Sequence, residues 1–425
     1  MEINLAYGKT GLPLSLYDNW NVTVIEPSFL PGLKNVTHSL CQKLRNPVNH
    51  KPLAQSIKAS DRVGIVFNDI TRATPNAVLI NTILDELSHV PRKNITLFNA
   101  LGTHRPNSKQ ELYTMLDREI VDSMRIVQND AFNPEMHRYL GKTSGGTEVR
   151  LHKELLDCDV KILTGFIEPH FFAGFSGGGK AIMPGMAEIG TIFHNHNAKK
   201  IAHPLSTWGI LEGNPIVQEN REAALMAGRL FLCNVTLNRE KEITNIFCGD
   251  MVKAHNLGCA FVKEHAMREV DKRFDIVVTT NSGYPLDQNL YQCVKGMSAA
   301  APITKKGGTI ILAGECRDGI PEHGLYGKTL REARSIASVL KAIESSPGCI
   351  QDQWQVQIQA RIQMNTDIHV FSENLSNKQL EEAKVFPCRD IRKTIENCLS
   401  KYGKQARICI LPEGPQTIPY VKEQK

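Results

Sequence analysis

Val160–Lys180 reads VKILTGFIEPHFFAGFSGGGK. A short apolar run rich in Val, Ile and Leu opens into a loop that holds a histidine and a glycine cluster ending in lysine. Four other runs have the same strand-like form: Arg62–Phe67 (RVGIVF), Asn94–Phe98 (NITLF), Asp275–Thr279 (DIVVT) and Thr309–Ala313 (TIILA). Between them lie stretches of helical period, such as Pro75–His89 and Leu330–Glu344. Short buried-type strands alternating with amphipathic helices predict an α/β fold with largely parallel sheets.

The charged stretch Lys263–Arg273 (KEHAMREVDKR) precedes the run DIVVTT and marks a junction. Residues 1–268 are therefore expected to form one α/β domain and residues 269–407 a second. ARICILPEG and the proline-containing tail, 408–425, are expected to pack back on the first domain. A chain of 425 residues suits two such domains and excludes a peptide-sized or disulfide-stapled fold.

Fifty Lys and Arg against 44 Asp and Glu leave a net charge of +6, which is mild for this length. It makes no case for a nucleic-acid or membrane partner and suits a protein that binds a small anion. The eleven cysteines form no C-x-x-C pair, so they read as reduced, mostly buried thiols. No basic head with an apolar stretch opens the chain, and no run reaches the roughly 18 apolar residues of a membrane span. The expected location is cytoplasmic.

In open parallel sheets, ligands bind beyond the carboxyl ends of the strands. The segments in that position are NDITRATP, NALGTHRP, GFIEPHFFAGFSGGGK and TNSGYPLDQNLYQCVKG. Their polar residues Asp69, Arg72, His104, Arg105, His170, Lys180, Gln292 and Lys295 are candidates for one cleft between the two domains. Gly174–Ala181 has the spacing of a phosphate-binding loop, G-x-x-x-x-G-K, but places Ala181 where Ser or Thr would hold magnesium. Pro184 also opposes the helix such a loop needs. Lys180 can serve as a phosphate-binding charge or as a covalent anchor, and the sequence leaves both open.

His104 and His170 sit at equivalent strand ends, where two imidazoles can take a proton from either mirror image of a substrate and return it. His194 and His196 alternate in FHNHN; they read either as a metal-facing pair on an extended segment or as two polar residues of a helix-like turn. Arg72 and Lys295 suit a carboxylate. Tyr291 and Lys295 would share a helix face, with Gln292 beside them. Trp354, heading WQVQIQARI, is either a packing residue or a wall beside a small apolar substituent.

Taken together, DITRATP, LGTHRP, EPHFFAGFSGGGKAIMPG, the HNH stretch, YQCVKG and WQVQIQAR resemble the nickel-pincer-dependent lactate racemase family, in order and across most of the chain. The resemblance implies two α/β domains with an active site in the cleft between them, the first domain carrying the cofactor. That cofactor is a nickel-pincer nucleotide, nickel pyridinium-3-thioamide-5-thiocarboxylic acid mononucleotide, attached covalently to Lys180, with His196 completing the nickel ligands. His104 and His170 are the implied acid/base pair, one for each enantiomer. Asp69, Arg72, Ser176, Gly177 and Gly178 are implied at the cofactor, and Arg72, Tyr291, Gln292, Lys295 and Trp354 at the substrate. The implied reaction interconverts D and L forms of a small 2-hydroxy acid, foremost lactate, through a 2-keto acid. Transient contacts with cofactor-synthesis proteins follow from the same resemblance. A larger 2-hydroxy acid, a nucleotide-dependent phosphotransferase and a non-catalytic cofactor carrier are the competing expectations.

Overall fold

The computed structural model describes residues 1–28, 30–322, 324–346 and 348–422. The elements that build its main sheets and carry the candidate residues run in chain order as follows. The first are β1 (Asn21–Val24), β2 (Val63–Asn68), α1 (Asn76–Glu86), β3 (Ile95–Ala100), β4 (Arg125–Gln128), β5 (His137–Lys142), β6 (Glu148–His152) and β7 (Val160–Phe166). Then come α2 (Ile189–Asn195), α3 (Pro215–Met226), β8 (Leu230–Leu237), β9 (Ile243–Gly249), α4 (Met251–Ala266), β10 (Phe274–Thr280) and α5 (Leu290–Ala300). The last are β11 (Thr304–Ala313), α6 (Gln353–Gln363), β12 (Thr366–Phe371), β13 (Phe386–Cys388) and β14 (Arg407–Leu411).

The chain divides into two compact units. The first, Phe29–His196 with His203–Glu264, holds a six-stranded sheet of order β9-β8-β7-β2-β3-β4, parallel except for the β8–β9 pair. Its strands are apolar on both sides because both faces are covered. Ile65, Phe67 and Ile162 pack with Leu79, Ile80 and Ile83 of α1. Val66, Phe98 and Leu163 pack on the other face with Ile182, Met183, Ala223 and Ala224.

The second unit comprises Met1–Ser28, Asn197–Ala202 and His265–Lys425. Its six-stranded sheet is parallel throughout, in the order β13-β12-β11-β10-β14-β1. Val277, Ile310 and Leu312 face Val294 and Met297 of α5 and Val356 and Ala360 of α6. Ile276, Val278, Ile311, Ile408 and Ile410 face Leu5, Leu14 and Ile395.

Three expectations need correction. The tail does not return to the first unit: Ile408–Leu411 are buried and form an interior strand, β14, which can satisfy its backbone only between two neighbours and finds them in β10 and β1. The first 28 residues likewise belong with the second sheet, because β1 pairs with β14. The Leu330–Glu344 stretch is divided between helices Tyr326–Glu332 and Ile336–Ser345, since Ser335 starts a new helix by accepting the Ser338 amide. The eleven cysteines are free, nine of them buried. Among the described residues no helix is long and apolar enough to cross a membrane.

Candidate active site

β2 and β3 are adjacent and parallel, with Asn68 opposite Ala100, so the turns leaving them emerge side by side. That register brings Asp69 to His104: the carboxylate Oδ2 lies 2.7 Å from the imidazole Nδ1, and Oδ1 accepts the Thr71 hydroxyl at 2.9 Å. Asp69 is 3% exposed. Burial pushes its carboxyl up, but the charge and hydrogen bond of His104, the charge of Arg72 and the Thr71 hydroxyl outweigh it and hold the pKa below the usual value. An ionised carboxylate only accepts, so His104 carries its proton on Nδ1 and keeps the Nε2 lone pair as its acceptor. The Arg72 guanidinium has no hydrogen-bond partner among the described residues and acts on Asp69 through its charge. Arg105 does not join this group. It forks onto Glu111 at 2.6 and 2.8 Å on the surface, where Glu111 closes a capping box with Ser108.

Beyond β7 the chain makes a tight hairpin in which Pro169 pairs with Phe175 and His170 with Gly174. Ser176 closes it: its hydroxyl donates to the Phe166 carbonyl and accepts from the Glu168 amide, both at 2.9 Å. Gly177 and Gly178 have φ of +78° and +58°. They let the loop lie against two buried polar side chains. The Gly178 amide donates to Asn234 Oδ1 of β8 at 2.8 Å, and His255 of α4 sits 2.8 Å from the Ser176 carbonyl, which takes the Nε2 proton. A Cβ on Gly177 would come within 2.5 Å of Asn234, and one on Gly178 within 2.8 Å of the His255 ring. The Ser176 hydroxyl and the Gly178 amide are thus engaged by the protein itself. The loop continues into a single 3-10 turn, Gly178–Ala181, and presents no α-helix N-terminus of the kind a phosphate loop uses.

What the loop delivers is Lys180. Its Nζ lies 5.7 Å from the centre of the Phe172 ring. The same ring meets His170 edge-on at 4.5 Å and His196 edge-on at 5.0 Å between centroids. One buried phenyl group therefore gathers the candidate anchor, the candidate metal ligand and one candidate acid/base. Phe172 is itself held by Asn214, which donates to its carbonyl at 2.9 Å and accepts the Ile216 and Val217 amides at the start of α3. His170 Nδ1 accepts the Ala173 amide at 3.2 Å and the Phe172 amide at 3.5 Å, so its neutral form carries the proton on Nε2.

His194 and His196 do not form a metal-facing pair. Ile189–Asn195 is helical with His196 as its C-cap, and residues two apart on a helix point to opposite sides. His194 is exposed and His196 is buried. Among the described residues there is no cluster of three or more His, Cys, Asp or Glu side chains able to hold a metal ion. The donor set here is a lysine and one buried imidazole on a common aromatic ring. It fits a metal that arrives with most of its ligands in a group tethered at Lys180, and a bare ion would find too few donors.

In the second unit, Asn289 caps α5 by accepting the Gln292 amide at 3.0 Å, and Asn281 accepts the Gly296 amide at 3.1 Å. Tyr291, Gln292 and Lys295 are half-buried, while Cys293 and Val294 face the core. The Trp354 indole donates to the Tyr291 hydroxyl at 3.3 Å, and Gln355 donates to the Tyr291 carbonyl at 2.5 Å. Trp354 is 6% exposed. Sequence reasoning missed Phe172, Asn234 and His255. The last two left a signal, each being a polar residue inside an apolar run of LFLCNVTL and KAHNLGCAFV.

Models of the lactate racemase N-terminal and C-terminal domains match residues 7–209 and 270–418. The lactate racemase of Thermoanaerobacterium thermosaccharolyticum is 33% identical over 422 residues, covering 98% of this chain and 99% of that protein. The lactate racemase of Lactiplantibacillus plantarum is 34% identical over 377 residues, 88% of each. The structure of the T. thermosaccharolyticum lactate racemase apoprotein superposes with a TM-score of 0.93 at 32% identity, covering 100% of both chains. A Thermotoga maritima protein with 17% identity and a TM-score of 0.69, covering 93% of this chain and 100% of that one, shares the fold. With both domain models matched and such relatives aligned over nearly their whole length, the chain belongs to the lactate racemase family.

Proposed function

We propose that this chain is an isomerase that interconverts D- and L-lactate, carrying a nickel-pincer nucleotide on Lys180 with His196 as the protein ligand of nickel. The observation that supports this reading best is the placement of Lys180, His196 and His170 around the single ring of Phe172. When bound, the nucleotide supplies a reversible acceptor for the hydride of the substrate α-carbon, which makes that carbon planar and erases its handedness. Removal of the α-proton by an imidazole is the harder route to the same end, because a carbon next to an ionised carboxylate is weakly acidic.

The protein residues handle protons and orientation. His104 Nε2 takes the hydroxyl proton, and buried Asp69 stays ionised beneath it to stabilise the resulting imidazolium. His170 is the second acid/base, assigned to the opposite enantiomer. Arg72 offers its planar fork to a carboxylate, and Gln292 and Lys295 are assigned the substrate carboxylate or hydroxyl. Tyr291 and Trp354, locked to each other, are assigned to limit the size of the group on the α-carbon. Phe171 and Phe172, both buried, pack against the half-buried His170 ring and, through Phe172, border Lys180.

The test is a chiral assay of protein purified from cells that also make the nucleotide. Either enantiomer of lactate should approach an equal mixture, and His104→Ala and His170→Ala should each keep the nickel content while turnover falls. A carrier without activity would leave lactate unchanged in every sample. A phosphotransferase would need magnesium and leave Lys180 unmodified.

A further inference from the structure

Glu219 of α3 is 1% exposed, and the proposed reaction gives it no step. Its carboxylate is nonetheless heavily used. Oε1 accepts the Thr143 hydroxyl at 2.9 Å; Oε2 accepts the Thr147 hydroxyl at 2.9 Å and the Asn195 amide at 3.0 Å. Thr147 spends its one hydroxyl proton on Glu219, so its oxygen accepts from His194 Nδ1, 3.0 Å away. Both residues that precede His196 are therefore tied to one carboxylate, Asn195 directly and His194 through Thr147. The turn joining β5 and β6 wraps this group so closely that a Cβ on Gly145 would lie 2.2 Å from Oε1.

A side chain needed only to fill space here would be apolar, since burying a carboxylate is costly unless donors surround it. A carboxylate does what an apolar group cannot: it accepts from several donors at once and fixes the Asn195 amide and the His194 tautomer together. We infer that Glu219 is a positioning residue for His196, clamping the last turn of α2 so that the His196 ring keeps its near-perpendicular contact with Phe172. The inference rests on the reading of His196 as the nickel ligand. Groups that orient a metal-binding histidine commonly affect metal retention by roughly 10–100-fold.

Glu222, one turn along α3, supplies the control. It docks the same β5–β6 turn through the Ser144 amide and hydroxyl, both at 2.6 Å, and has no hydrogen bond to residues 194–196. The experiment compares wild type, Glu219→Ala, Glu219→Gln, Thr147→Val and Glu222→Ala. Nickel per chain is followed during dialysis of protein from cofactor-making cells, and histidine-ring 15N NMR and melting temperature are measured on the unloaded chain. Glu219→Ala should lose nickel about tenfold faster and shift the His194 and His196 ring signals. Glu219→Gln, which keeps an acceptor oxygen, should recover most of both, and Glu222→Ala should match wild type in nickel retention and ring signals whatever its melting temperature. Equal nickel loss in the Glu219 and Glu222 variants, or wild-type retention and ring signals in Glu219→Ala, overturns the inference. If Glu219→Ala does not fold, Thr147→Val decides, since it keeps the shape and cuts the His194 arm. Wild type without nickel would refute the ligand reading of His196, while the ring signals of the unloaded chain still judge the clamp.

Discussion

Asp69 and His104 form the part of the site whose chemistry is most fully determined residue by residue. The carboxylate fixes the imidazole tautomer, and against the effect of burial the charge and hydrogen bond of His104, the charge of Arg72 and the Thr71 hydroxyl hold its pKa below the usual value. Asp69→Asn keeps the shape but presents an amide that can hold the ring in the wrong tautomer. Racemisation should fall about 10²–10⁴-fold with nickel content unchanged, as measured by chiral assay and metal analysis on the same sample. A variant that kept full turnover would remove Asp69 from the mechanism. Both residues were visible in the sequence as strand-end candidates. Their pairing was not, because it depends on β2 and β3 being neighbours in register, which no local pattern encodes. Glu219 was invisible for a related reason: in PIVQENREAALM it looks like one of several solvated charges, and the groups that enclose it come from the β5–β6 turn, 72 and 76 residues earlier, and from Asn195 of α2.

At the scale of elements, the Lys180 loop is shaped from beneath by β8 and α4. Gly178→Ala would place a Cβ against the His255 ring at a left-handed φ. It should cost about 1–3 kcal/mol, read as a lower melting temperature, and should impair attachment at Lys180, read by mass. His255 adds a pH dependence. Burial pushes its pKa from 6.5 down to about 4, so the folded ring stays neutral while the unfolded one takes a proton. Its contribution is complete above pH 6.5 and is lost as the pH falls through about 4, on the order of 3 kcal/mol in all. Denaturant titrations across that window should show the fall, and His255→Gln should flatten it. The sequence showed the strand, the loop and the lysine, because strand period and glycine clustering are local signals. It could not show that the glycines serve close packing on Asn234 and His255, since those contacts join residues more than 50 positions apart.

For the molecule as a whole, the α/β alternation was legible because helices cover both faces of each sheet and leave the strands as unbroken apolar runs. The assignment of the two chain ends was not. β1 is a four-residue edge strand, too short and too exposed to stand out, and β14 alone gives no sign of which sheet receives it. The overall reaction carries its own prediction. Lactate deuterated at the α-carbon should racemise more slowly than unlabelled lactate and keep most of its deuterium in the product, as followed by NMR. Extensive exchange with solvent would indicate direct proton abstraction and contradict hydride transfer.

The most direct test of the central claim is the intact mass of the protein made in cells that also produce the nucleotide, with the modified peptide located by fragmentation. The account predicts a nickel-bearing mononucleotide adduct on Lys180. An unmodified Lys180, from cells shown to load another family member, would contradict it.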